Sequence, residues 1–344
     1  MMSSSVVVGL ISLVVIVVGW WVLARFWPRP VLRQPVLPEP ERRIRELANV
    51  AEDASPPDLA TLAVALQARE AKETRIIPGA EAVIRFANPE QPRQTPIAYL
   101  YLHGLSACRQ ETAPVTETLA DQDQSNAVYA RIAGHGMGDQ AMGEVDAGTW
   151  LASVWDFWCM ASAAGKEVVI VATSTGATSA TWLVEQPGVQ AHVRAMLFLS
   201  PNFKVRNPLA FLLTWYGVEH WLPQVVSPER RWHSQDPRQS QYWSTNYGNQ
   251  ALIQMQLLIN AVKHSPVEAI RVPLMVQISR DDPVVEPTAA RQVYERWGGF
   301  PKEFRWVVVP PGESPHIIVG DIMAPHRNDE IIGAFRRFLD MLPD

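Results

Sequence analysis

From residue 76 onward the chain alternates short apolar runs with amphipathic segments, and this rhythm restricts the fold more than any other feature. Strand-like runs fall at 82–86, 97–102, 127–132, 167–172, 193–199, 274–278 and 304–309. Helical spacing marks 110–119, 149–164, 175–185, 287–297 and 329–341 between them. Such βα alternation predicts an α/β fold: a mostly parallel, doubly wound sheet, covered on both faces, with ligands at the carboxyl ends of its strands. Residues 202–270 break the rhythm. No good strand is evident there, but Trp215, Trp221, Trp232, Trp243, Tyr216, Tyr242 and Tyr247 are concentrated in it. An insertion of this length is expected to be a helical subdomain, its aromatics forming a small core or lining an apolar pocket.

The front of the chain is of a different kind. No charged residue precedes Arg25, and residues 6–24 form an almost unbroken aliphatic run. As a helix its 19 residues would span about 28 Å, against roughly 30 Å for a bilayer's hydrocarbon core. Trp20, Trp21 and Trp27 beside Arg25, Arg29 and Arg33 match an interfacial belt. A cleaved signal peptide fits less well, since MMSSS has no basic residue and bulky Trp residues stand where small ones are needed. The expectation is an anchor over 1–27, with the following arginines placing the body on the cytoplasmic side. Residues 28–75 then read as a Pro/Arg-rich stalk with a helix starting near 39–46 and another over 57–72.

Charge follows the same division. Residues 1–45 hold six Arg and two Glu, a balance of +4, which leaves -9 for the rest of a chain of formal charge -5. An acidic body argues against a nucleic-acid partner. Cys108 and Cys159 are too few for a disulfide framework, and no Cys/His spacing resembles a metal site.

The chemistry is expected at three strand ends. The run 167–172 leads into Thr173-Ser174-Thr175-Gly176 and a helix rich in small residues. A serine on such a turn has its hydroxyl thrust out at the sheet edge, beside the free N–H groups of a helix start. Taken alone, a serine there is more often a cap or turn residue. Two other strand ends carry possible partners: an acidic turn at Asp281-Asp282, and His316 in a Pro/Gly loop. A hydroxyl needs a base, and a carboxylate fixes and charges-balances the histidine that supplies it.

The segments YLHGLSA (101–107), RIAGHGMG (131–138), VATSTGA (171–177), ISRDDPVV (278–285) and GESPHII (312–318) together resemble the α/β-hydrolase superfamily, and within it the bacterial carboxylesterases and monoacylglycerol-lipase-like serine hydrolases. The resemblance covers residue 76 to the C-terminus and implies a triad of Ser174, Asp282 and His316. It selects Asp282, immediately before proline, over Asp281. It also implies oxyanion donors at the Leu105 and Thr175 N–H groups, and a helical cap at about 202–270. Ala172 replaces the first glycine of G-x-S-x-G, a variant known among bacterial lipases. His103 and His135 are expected to shape turns, His326 to be a surface residue, and Cys108 a small buried one.

The implied activity is hydrolysis of small-molecule esters, lipid-derived in view of the anchor, with no metal or organic cofactor. Acyl transfer to another acceptor, C–C bond hydrolysis and a catalytically silent tethered binding module remain as alternatives. The expected organisation is anchor 1–27, stalk 28–75 and hydrolase domain 76–344. Oligomeric state is not readable.

Overall fold

The computed structural model describes Gly19 and residues 25–53 and 55–343. Apart from Gly19, the apolar run 6–24 lies outside the described residues, and among the described residues no helix is long and apolar enough to cross a membrane.

Seven strands form one sheet: β1 (Val83–Arg85), β2 (Thr95–Leu102), β3 (Asn126–Tyr129), β4 (Gly165–Thr173), β5 (Val193–Leu199), β8 (Leu274–Ile278) and β9 (Lys302–Trp306). Their order is β1-β3-β2-β4-β5-β8-β9, parallel throughout except for β1, which runs antiparallel to β3. The central strands are apolar on both sides because both faces are covered. In β2, Ala98, Leu100 and Leu102 enter one core, and Tyr99 and Tyr101 enter the other. Helices α4 (Ala147–Ala164) and α5 (Thr175–Val184) cover the first face; α3 (Val115–Gln122) and α10 (Asn328–Asp340) cover the second. Helix α9 (Pro287–Arg296) joins β8 to β9.

The helix expected over 110–119 is divided. A short 3-10 turn, Arg109–Glu111, precedes α3, and Pro114, with no N–H to give, separates the two. The last strand starts and stops earlier than expected, ending at Trp306.

Between β5 and β8 lie a 3-10 helix (Pro208–Thr214), α6 (Val218–Val225), α7 (Pro237–Tyr242) and α8 (Asn249–Lys263). Against expectation this region also holds strands. β6 (Glu229–Arg231) and β7 (Asn246–Gly248) pair antiparallel, too short and too polar to leave a sequence pattern.

The proline-rich segment is extended, but it lies on the body rather than standing off it. Leu32 and Leu37 pack against the core. Trp182 Nε1 donates to Gln34 Oε1 and Trp155 Nε1 to the Pro38 carbonyl, both at 3.0 Å. Helix α1 (Pro40–Leu47) is fastened by Arg43, whose guanidinium meets both Asp156 oxygens at 2.6 and 2.9 Å. Helix α2 (Leu59–Lys72) is started by Asp58, which accepts the Thr61 N–H at 2.8 Å. Residues 28–34 also meet the cap. The Gly217 N–H donates to the Pro28 carbonyl at 3.0 Å, and Arg29 lies 4.1 Å from the Tyr216 ring centroid.

Candidate active site

At the end of β4 the chain turns sharply into α5, and Ser174 sits on the turn with φ 51° and ψ −119°. A side chain in that region costs about 1–3 kcal/mol, so the neighbouring backbone must hold it. It does: the Ser174 N–H donates to the Leu199 carbonyl at 2.9 Å, and the Ser174 carbonyl accepts the Asn202 N–H at 3.0 Å. Gly176 is required by closeness. A Cβ there would collide with the Leu102 carbonyl oxygen and lie 2.6 Å from that of His103. Ala172, by contrast, buries its methyl in the core without conflict.

His316 and Asp282 come to the same point. His316 Nε2 is 3.2 Å from Ser174 Oγ, and His316 Nδ1 is 2.7 Å from Asp282 Oδ2. Asp282 is fully buried, and its Oδ1 accepts the Val284 and Val285 N–H groups at 2.8 and 3.0 Å. Burial pushes the His316 pKa down, but the Asp282 charge and hydrogen bond, with a smaller contribution from Glu111, carry it above the ordinary value. The His316 loop is fixed from below by Arg327, which donates to the Ile318 carbonyl at 3.0 Å and pairs with Glu313.

Leu105 and Thr175 border the same cavity. Among the described residues neither N–H meets an acceptor, leaving both available to a ligand. The Leu105 N–H is aimed by His103. Nε2 of His103 accepts the Ile132 N–H at 3.0 Å, so Nδ1 carries the proton and donates it to the Gly104 carbonyl at 2.8 Å. Because a trans peptide points its C=O and N–H oppositely, holding the Gly104 carbonyl fixes the direction of the Leu105 N–H. Burial, with His135 nearby, holds the His103 pKa down to about 3, so the ring stays neutral.

The remaining sequence candidates separate clearly. Asp281 is exposed and outside the hydrogen-bonded chain, whereas Asp282 is inside it. His135 is buried, held down to about 4, and 5.0 Å ring to ring from His103. His326 is exposed and pairs with Glu313. Cys108 is buried and burial pushes its thiol up to about 12, far from a thiolate nucleophile.

One buried group was not singled out by the sequence. Glu111 accepts the Gly104 N–H at 2.8 Å and the Tyr101 hydroxyl at 3.1 Å, both on Oε2. It borders the cavity that holds Ser174 and His316, and burial raises its pKa. The only sequence signal was a carboxylate eight positions after His103, at the start of the segment with helical spacing over 110–119.

The cavity encloses about 270 Å³. Its cap side is formed by Trp232, Trp243, Tyr247 and Met255, with Arg230 and His233. The cap aromatics therefore divide: these three face the cavity, Trp221 packs on the small core of Val218 and Leu222, and Trp215 and Tyr216 meet Arg29. A larger groove of about 770 Å³, between α2 and the edge strand β1, contains none of the residues of the hydrogen-bonded chain.

The family model described as serine aminopeptidase, S33, matches residues 97–307. No curated protein matches the sequence. Solved structures share the fold. One is of a metagenome-derived lipolytic enzyme from the LipS and LipT pair, at 17% identity and TM-score 0.63, covering 77% of this chain and 99% of that one. A second is the monoacylglycerol lipase of Paleococcus ferrophilus, at 12% identity and TM-score 0.55, covering 75% and 97%. A third is a soluble variant of the Saccharomyces cerevisiae monoglyceride lipase with a substrate analogue, at 11% identity and TM-score 0.56, covering 76% and 91%.

Proposed function

The chain belongs to the serine aminopeptidase S33 family of α/β-hydrolases, and from that membership we propose that it cleaves carboxylic esters through an acyl-serine intermediate. The carrying observation is the hydrogen-bonded chain from Asp282 through His316 to Ser174, ending beside two free backbone N–H groups. Ser174 Oγ attacks the ester carbonyl carbon while His316 Nε2 takes its proton. The oxyanion is met by the Leu105 and Thr175 N–H groups, and the imidazolium formed is stabilised by Asp282. The tetrahedral species collapses as His316 returns the proton to the leaving alkoxide. Water, deprotonated by His316, then attacks the acyl-serine, and His316 returns that proton to Ser174 Oγ as the acyl–oxygen bond breaks and the acid leaves. No step calls for a metal or an organic cofactor.

The substrate we infer is a lipid-derived ester. Trp232, Trp243, Tyr247 and Met255 offer an apolar wall to an acyl chain. Residues 6–24 serve as a membrane anchor, with the body on the cytoplasmic side in line with the arginines that follow. The chain leaving that anchor is fastened to the cap through Pro28 and Arg29, and Leu209, Phe211, Val225 and Val226 of the cap are exposed. The lipolytic enzymes and monoglyceride lipases of the same fold favour this substrate class.

The test is turnover of p-nitrophenyl esters of graded chain length by the full chain in detergent, with aminoacyl p-nitroanilides and an alcohol acceptor alongside. Ester hydrolysis rising with chain length and absent in Ser174→Ala is expected. A preference for acetate would remove the lipid substrate; nitroanilide turnover alone would point to a peptidase; transfer to the alcohol in place of hydrolysis would make it an acyltransferase. No turnover of any of them would leave a silent binding module. A C-terminal reporter active only outside the cytoplasm would overturn the orientation.

A further inference from the structure

We propose that Glu111 is a positioning residue for the oxyanion-binding loop, acting through its hydrogen bond to Gly104 and not through its charge. This rests on the acyl-serine chemistry proposed above and goes beyond it.

Gly104 is held at both ends. His103 takes its carbonyl, which aims the Leu105 N–H, and Glu111 takes its N–H. With both flanking peptides clamped by buried side chains, the donor loses its rotational freedom before a substrate arrives. Oxyanion donors work by being oriented in advance. The carboxyl is itself well supported. Tyr101, on the opposite face of β2 from Leu100 and Leu102, reaches it with its hydroxyl, and the Glu111 backbone abuts Gly320 in the segment after His316. The Asp321 N–H donates to the Ala113 carbonyl at 2.8 Å, tying that segment to the Glu111 turn. A Cβ on Gly104 would meet Glu111 Oε1 at 2.9 Å and Ser174 Cβ at 3.1 Å. Glycine is therefore the residue that lets carboxyl and nucleophile approach from two sides.

The charge of Glu111 has opposed effects in the transition state. A negative group favours the His316 imidazolium and disfavours the oxyanion, and both charges form together. The two terms offset one another, whereas loss of the hydrogen bond has no offset and frees the loop.

Two conservative variants separate reach from charge. Glu111→Gln keeps the length and an acceptor oxygen but loses the charge; Glu111→Asp keeps the charge but withdraws it from Gly104. The readouts are kcat and KM for an ester, with the second-order rate of fluorophosphonate capture, on the full chain. Glu111→Gln is expected within about threefold of wild-type kcat, and Glu111→Asp about 10- to 100-fold lower with KM little moved, the range set by misplacing a catalytic donor. Glu111→Asp equal to or faster than Glu111→Gln would overturn the role, as would wild-type kcat in both. A wild-type chain that neither turns over esters nor is captured would overturn the chemistry beneath it, and the role with it.

Discussion

His316 Nδ1 and Asp282 Oδ2 are 2.7 Å apart, and the other Asp282 oxygen is engaged by two backbone N–H groups. The carboxylate cannot rotate away, so the imidazole proton is kept on Nδ1 and Nε2 is left free for Ser174. Asp282 raises the His316 pKa against the effect of burial. Only the neutral ring can act as base, so kcat/KM falls as pH drops through that raised value. The acidic limb of the pH profile is expected above the ordinary imidazole value of about 6.5. Asp282→Asn should lower kcat on the order of 10⁴-fold, as losing this carboxylate does in serine triads generally. A profile whose limb lies below that ordinary value would contradict the assignment.

Gly176→Ala tests the elbow. The added methyl meets the Leu102 and His103 carbonyl oxygens, backbone atoms that cannot swing aside. Overpacking of this kind costs about 1–3 kcal/mol. Thermal unfolding should register that loss, and ester turnover should fall further than the loss of folded protein explains, because Ser174 moves with the turn. Ala172→Gly, where the methyl is simply buried, should leave Ser174 in place and cost about 1–2 kcal/mol, from the lost methyl and the added backbone freedom.

Trp232→Ala tests the acyl wall. The ring is partly buried and borders the cavity beside Tyr247. Its removal should reduce kcat/KM for long-chain p-nitrophenyl esters about tenfold or more while acetate changes little, since only the longer chain reaches it. Equal losses at all chain lengths would place the ring outside the acyl path.

Glu111 also predicts a pH-dependent stability. Burial raises its folded-state pKa, so folding favours the protonated carboxyl. That contribution is fully present below the unfolded value of about 4.3 and is lost as pH rises through the higher folded value. Glu111→Gln does not titrate, so its Tm should gain on wild type across that window. Calorimetry at a series of pH values reads it; a pH-independent difference would mean the carboxyl pays no burial penalty.

Residues with a signal in their own neighbourhood were the legible ones. The apolar runs of β4 and β8 stand out because both their faces are buried, and Ser174 and Asp282 follow them; His316 comes after β9, a half-buried strand with Lys, Glu and Arg in it. β6 and β7 left no trace, being three residues each and polar enough to resemble a loop. The extended form of the segment after residue 28 was readable from its prolines, but not its course across the body. That course depends on Arg43 meeting Asp156, 113 positions away, and on two indoles donating to it. Glu111 was hidden for a different reason: the spacing reads 110–119 as one helix, whereas the chain makes a 3-10 turn over Arg109–Glu111 that brings the carboxyl back to Gly104, seven positions earlier.

Acylation of one serine underlies all of these expectations. The direct measurement is exposure of the full chain to a fluorophosphonate, followed by intact mass and peptide mapping. A single adduct on Ser174, absent in Ser174→Ala, is the predicted result; an adduct on another residue, or none, would contradict it.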